Sequence, residues 1–236
     1  MLTGSFFRFR AVIRFDQVSK RYPTGQEALA GLSFHVKPGE MVFVTGHSGA
    51  GKSTLLKLLA RIERPSRGII TLDGQNLSTL RAGRVPHLRR KLGMVFQDHR
   101  LLMDRSVFAN VELPLVIAGM AQAERARRVR AALEKVGLLR YENQPPVTLS
   151  TGEQQRVGIA RAIVAKPALL IADEPTGNLD PHLAQEIMGL FAEFQQVGTT
   201  VLVASHDLML IKRMKKRVLV LDHGRMVDDV SAQEVA

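Results

Sequence analysis

The chain contains no cysteine, which excludes disulfides and thiolate-ligated metal sites. No apolar run approaches the roughly 18 residues needed to cross a bilayer, and the longest, such as residues 168–172, have the length of buried strands. There is no internal repeat and no low-complexity linker. An export signal is also missing: residues 1–7 are apolar, but Arg8 and Arg10 follow that stretch rather than precede it, the wrong order for a signal peptide. The chain is therefore read as cytosolic, with residues 1–7 a disordered extension. From Arg8 the pattern alternates, Phe9, Ala11, Ile13 and Phe15 on one face against Arg8, Arg10 and Arg14 on the other, as in a half-buried strand.

What is present is ordinary globular composition. With 236 residues, 45% of them hydrophobic, the chain can bury one sizeable α/β core with room for a subdomain. Its 33 Lys and Arg against 22 Asp and Glu give a net charge of +11, clustered at Arg89-Arg90-Lys91, residues 125–130 and residues 212–217. Such a balance favours polyanions or an anionic membrane surface, but it equally describes a solvated basic face. Charge alone does not choose between them.

Strand and helix signals alternate along the chain, as in a mainly parallel sheet covered by helices. From about residue 98 to 165 the strand patterns fade, and residues 121–136, rich in Ala, Arg and Glu, have helical spacing. This stretch is predicted to be a helical insert within the sheet domain.

The chemistry begins at Gly46-His47-Ser48-Gly49-Ala50-Gly51-Lys52-Ser53, a complete G-x-x-x-x-G-K-[ST] loop. A β-branched apolar run precedes it, and a helix containing Thr54 follows. Phosphates are bound in such a loop by backbone N–H groups at a helix N-terminus, and glycine lets the chain come close enough. Lys52 is expected to reach the β- and γ-phosphates and Ser53 to ligate Mg²⁺.

A second apolar run, residues 168–172, ends in Asp173 and Glu174. Ligands of open α/β sheets lie at the carboxyl ends of strands, so both acids are expected beside the loop. Asp173 is the candidate for the metal, and Glu174 for the base that deprotonates water. Two further strand ends lead into Gln97, whose amide can contact Mg²⁺ and water, and His206, which can stabilise the γ-phosphate. Ser150-Thr151-Gly152-Glu153 is an S-x-x-E capping box opening a helix, and a capped helix N-terminus is also an anion site. Asp180-Pro181 supplies another N-cap followed by proline at the first helical position.

The loop at Gly46, Gln97, residues 149–154, residues 169–174, Gly177-Asn178-Leu179-Asp180 and His206 follow the order of ABC transporter nucleotide-binding domains, which the chain resembles over nearly its whole length. That resemblance implies a P-loop NTPase fold of the α/β class with a mainly parallel core sheet, an antiparallel β subdomain and a helical subdomain. The ATPase domain then spans residues 8–236, with the helical subdomain at about 98–165. It also implies an ATP- and Mg²⁺-dependent homodimer in which Ser150 and Gly152 of one copy complete the other's site, with Asp180 at the crossing, and in which adenine stacks on Tyr22. The family usually has glycine where Thr151 stands. A positive φ there would strain threonine, so a helical φ and a working site are expected.

Within the family, residues 45–52 and 96–105 most resemble the cell-division branch. That likeness implies a peripheral subunit at the cytoplasmic face of the bacterial inner membrane, working on an integral membrane partner to control cell-wall hydrolases outside. The alternatives are the ATPase of a lipoprotein-releasing or macrolide-exporting complex, and a soluble ABC-type ATPase acting on DNA or ribosomes. Against the last stand the absence of a long coiled-coil insertion, of zinc-hook cysteines and of a second ATPase domain, so no specific nucleic acid partner is expected.

Overall fold

A computed structural model describes residues 12–177 and 179–235. The extension at residues 1–7, the first part of the alternating pattern at residues 8–11 and Asn178 lie outside the described residues.

Strands β1 (Ile13–Arg21) and β2 (Glu27–Val36) pair antiparallel, and β3 (Met41–Thr45) then enters a second sheet. In β1, Ile13 and Phe15 are buried while Arg14 and Asp16 are exposed, the period-two pattern of a strand with one face on the core. Phe15 stacks on Phe34 of β2 with ring centroids 4.5 Å apart. After helix α1 (Lys52–Leu59), strands β4 (Arg67–Leu72) and β5 (Gln75–Asn76) complete an antiparallel sheet of order β2-β1-β4-β5.

A short helix α2 (Val85–Arg89) leads into β6 (Leu92–Val95). The chain then runs through α3 (Val107–Ile117), α4 (Gln122–Lys135) and α5 (Thr151–Ile163) before the next strand, β7 (Leu169–Asp173). Val111, Leu115, Val129, Leu133 and Val157 bury into one apolar cluster with Phe43 of β3 and Leu170 of β7. Beyond β7 come α6 (Pro181–Gln196), β8 (Thr200–Ala204), α7 (Leu208–Met214), β9 (Arg217–Asp222) and β10 (Arg225–Val230).

The second sheet has the order β10-β9-β3-β8-β7-β6. Its pairings are parallel except that of β9 with β10. All five residues of β3 and all five of β8 are buried, as expected of strands covered on both faces. Pairing of β6 with β7 stops at Val95↔Ala172, and β8 starts at Thr200.

Register aligns the ends that matter. Ala204 pairs with both Val44 and Asp173, and Thr45 pairs with Val220. The segments that follow β3, β6, β7, β8 and β9 therefore leave the sheet along one edge, where ligands of such sheets bind.

Candidate functional site

The glycine loop turns off the end of β3 with Gly46 at φ +145, and Gly51 at φ +108 caps α1 in a left-handed conformation. A Cβ on Gly46 would stand 2.2 Å from Leu221 O, and one on Gly51 2.6 Å from Ala28 O. Glycine is thus required at both positions by the backbone angle and by the neighbouring main chain. Gly49 has φ +82, Ala50 is buried, and the Ala50 N–H closes the turn on His47 O at 3.1 Å.

Lys52, the first residue of α1, is only 8% exposed, and its Nζ donates to Gly46 O at 2.7 Å and to His47 O at 3.1 Å. The ammonium is thereby centred over the loop. Next to it, Ser53 Oγ donates to Asp173 Oδ1 at 3.0 Å, joining the start of α1 to the end of β7. Burial pushes the Asp173 carboxyl above the usual carboxylate range; the adjacent Glu174 adds to this, and the Ser53 hydrogen bond opposes it. A hydroxyl and a carboxylate at this distance are the hard-oxygen donors that suit Mg²⁺.

Glu174 leaves the strand in the left-handed region at φ +48, its N–H donating to Ala204 O at 3.0 Å. Its carboxylate is thereby turned back along the sheet edge. Oε1 lies 3.8 Å from Lys52 Nζ and Oε2 2.9 Å from His206 Nδ1. A Cβ on Gly177 would stand 3.8 Å from both Gln97 Nε2 and Glu174 Cβ, so Gln97 borders the same space. Tyr22 meets the group from the first sheet, with its hydroxyl 3.3 Å from Thr54 Oγ1 and Lys20 Nζ 4.8 Å from its ring centroid.

Ser150, Gly152 and Asp180 are placed apart from this cluster. Ser150 caps α5 in a full capping box: Glu153 N donates to Ser150 Oγ, and Ser150 N donates to Glu153 Oε2. Thr151 is the first helical residue and is absent from the positive-φ positions, so the threonine is unstrained, as expected. Ser150 and Gly152 line a cleft with Gly137, Tyr141, Arg156 and Leu183, to which the loop at residues 46–54 contributes nothing. Asp180 caps α6, accepting from the His182 and Leu183 amides at 3.0 Å. Those amides, Leu183 first, hold its carboxyl below the usual range.

One buried connection had no signal in the sequence beyond lying next to predicted residues. Gln155, 1% exposed on α5, meets His99 Nδ1 at 2.5 Å and donates to Pro175 O at 2.6 Å. The segment just after Gln97 is thus tied to the segment just after Glu174.

Comparisons with known proteins show the family to which the chain belongs. Residues 29–177 match the family model described as ABC transporter. The chain is 58% identical over 215 residues to the cell division ATP-binding protein FtsE of Escherichia coli (strain K12), covering 91% of this chain and 97% of that one. It is 44% identical over 223 residues to FtsE of Bacillus subtilis (strain 168), covering 94% and 98%. Among solved structures, the dimeric bacterial ABC transporter cassette MJ0796 superposes with a TM-score of 0.87 at 34% identity, covering 93% of this chain and 98% of that one. A post-hydrolysis dimer of the same cassette, bound to ADP and Pi, gives 0.87 at 33% identity with the same coverage.

Proposed function

Since the chain belongs to the ABC transporter family and is an ATPase of that family, we propose that it is a motor subunit in which two copies close head to tail around ATP and hydrolysis reopens them. The amides of residues 46–54 and Lys52 hold the phosphates, and the ring of Tyr22 stacks on adenine. Ser53, Asp173 and Gln97 would hold Mg²⁺, which when bound would neutralise charge developing on the phosphates. Glu174 accepts the proton of the attacking water, and His206 orients that carboxylate and faces the γ-phosphate. The observation that carries the reading is the Glu174 carboxylate, held between Lys52 at 3.8 Å and His206 at 2.9 Å.

The helices within residues 98–165 form, in this reading, the subdomain that carries Ser150 and Gly152 to the partner copy's ATP, with Asp180 at the crossing. Support comes from the separate cleft that holds Ser150 and Gly152 and from the dimeric form of the MJ0796 cassette. Likeness to FtsE supports a role in cell division. Among the described residues no helix is long and apolar enough to cross a membrane. The proposed partner is an FtsX-like integral membrane protein at the cytoplasmic face of the bacterial inner membrane, through which closure regulates cell-wall hydrolysis. Leu102 and Met103, just after Gln97, are 42% and 48% exposed and offer it an apolar contact.

The test is affinity capture of Glu174→Gln protein with ATP and Mg²⁺ from detergent-solubilised native membranes, followed by mass spectrometry. Recovery of an FtsX-like protein is expected. Recovery of a lipoprotein-release or macrolide-export subunit would overturn the division role, and recovery of no membrane protein would overturn the membrane role altogether.

A further inference from the structure

His47 is the first variable position of the glycine loop, and its side chain takes no part in the contacts assigned above. Its Nδ1 lies 2.6 Å from Ser48 O. A carbonyl oxygen only accepts, so Nδ1 carries the hydrogen and Nε2 presents its lone pair. Yet Nε2 faces a carboxylate, standing 3.0 Å from Asp222 Oδ1. Two acceptor atoms at that distance are held together either by a second proton on the imidazole or by a cation.

A third ligand stands beside them. His223 Nε2 is 3.8 Å from the same Asp222 Oδ1, the rings of His47 and His223 are 4.8 Å apart, and the three donor atoms all lie within 4.8 Å of one another. All three residues are exposed, so an ion has free access. The backbone beneath them is fixed. His223 and Gly224, at φ +43 and +76, form the two-residue turn between β9 and β10. Gly224 N donates to Ala50 O at 3.1 Å, and Ala30 N donates to Gly224 O at 2.9 Å. The hairpin that carries two ligands is therefore fastened to the loop that carries the third.

We infer that His47, Asp222 and His223 form a binding site for a divalent transition metal of the Zn²⁺ class, distinct from the Ser53 and Asp173 pair. Two imidazoles and one carboxylate suit Zn²⁺, Ni²⁺ or Cu²⁺ rather than Mg²⁺ or Ca²⁺, which take oxygen ligands. Ligands about 2.0–2.1 Å from a tetrahedral Zn²⁺ stand about 3.3 Å apart, so the His47 and Asp222 atoms are already near that spacing. Rotation of the exposed His223 ring brings the third into place. The Nδ1–H to Ser48 O contact is the carbonyl hydrogen bond that orients a metal-binding histidine through its other nitrogen. Bound metal pins the glycine loop to the β9–β10 turn at its His47 corner.

The test titrates Co²⁺ into untagged full-length protein without nucleotide, following visible absorption and competition by Zn²⁺. Because nucleotide is left out, the outcome does not depend on the roles proposed for ATP hydrolysis. One equivalent is expected to bind, with affinity at least tenfold weaker in His223→Asn and in Asp222→Asn and unchanged in His182→Asn, whose ring lies on α6 beside Glu186. Asparagine tolerates the left-handed backbone at residue 223, so Mg²⁺-ATP hydrolysis by His223→Asn should be unchanged and reports its folding. Zn²⁺ should also raise the melting temperature of the wild type but not of His223→Asn. Failure of Co²⁺ and Zn²⁺ to bind below millimolar concentration, or binding that His223→Asn leaves intact, would overturn the site and leave the contact as an ion pair alone.

Discussion

His206 Nδ1 stands 2.9 Å from Glu174 Oε2, on the carboxylate oxygen that Lys52 does not face. Glu174 is thus held at both oxygens, and its backbone is held too, in a left-handed turn whose N–H bonds Ala204 O. In the proposed role of proton acceptor, a carboxylate held this firmly loses its chemistry, not its position, when made neutral. Glu174→Gln is therefore expected to bind ATP with unchanged affinity while hydrolysis falls about 10²–10⁴-fold, the usual range for removal of a general base. Phosphate release and nucleotide binding measured on the same preparation check this, and near-normal hydrolysis would remove Glu174 from the role.

Asp173 leads to a prediction about stability with the opposite sign to most carboxylates. Burial raises its folded pKa above the unfolded one, so the folded state takes up its proton first. Any stability from this group is present below the ordinary Asp range and is lost as pH rises through the raised folded value. Asp173→Asn keeps an acceptor for Ser53 Oγ and removes the buried charge. The variant is expected to melt no lower than wild type at neutral pH and to lose Mg²⁺-dependent hydrolysis. A substantial drop in melting temperature would mean that the carboxylate stabilises the fold.

Strands β3, β6, β7 and β8 of the core sheet were legible as short runs rich in apolar residues, whereas β9 and β10, which carry Arg217, Asp222, Arg225, Asp228 and Asp229, were not. The glycine loop was legible because glycine is forced there by main-chain approach. Gly46 and Gly51 would each drive a Cβ into a backbone oxygen, of Leu221 and Ala28 respectively. Contacts that depend on register were not legible. His47 and Asp222 meet only because β3 and β9 pair in parallel with Thr45 opposite Val220, and no local pattern announces that pairing. Gln155 was also hidden, since a glutamine inside an amphipathic helix looks solvated until its two partners, His99 and Pro175 O, are known. The left-handed turn at Glu174 likewise has no signature in residue type, because glutamate rarely adopts it.

Gln155 is expected to be costly to replace. Truncation to alanine leaves Pro175 O and the His99 ring without their buried partner, a loss of about 1–3 kcal/mol for the stranded polar groups. Chemical denaturation of Gln155→Ala measures it. A change below about 0.5 kcal/mol, typical of surface substitutions, would mean that water replaces the amide without penalty.

Ser150 caps a helix and, in the proposed dimer, faces the partner copy's phosphate, and substitution can separate the two. Its hydroxyl caps α5, and with its own N–H it holds the Glu153 carboxyl below the usual range. That contribution is present above the ordinary Glu value and is lost as pH falls through the lowered one. Ser150→Ala should cost about 1 kcal/mol and reduce, without abolishing, the acid dependence of melting below about pH 5, because alanine keeps the N–H that Glu153 accepts. Asparagine is as good a cap, so Ser150→Asn should keep most of the stability while its larger amide crowds a phosphate presented by the partner copy. Hydrolysis is expected to fall in both variants, with stability falling only in the first. The trans arrangement is then tested by mixing Ser150→Asn with Lys52→Ala, each expected to hydrolyse far more slowly alone than wild type. Half of randomly formed dimers would be mixed, each with one intact composite site, so activity should return to about one quarter of wild type. Recovery is the expected result because Ser150 and Gly152 line a cleft to which the phosphate loop of their own chain contributes nothing. An inactive mixture, with dimer exchange verified, would place both halves of the site in one copy.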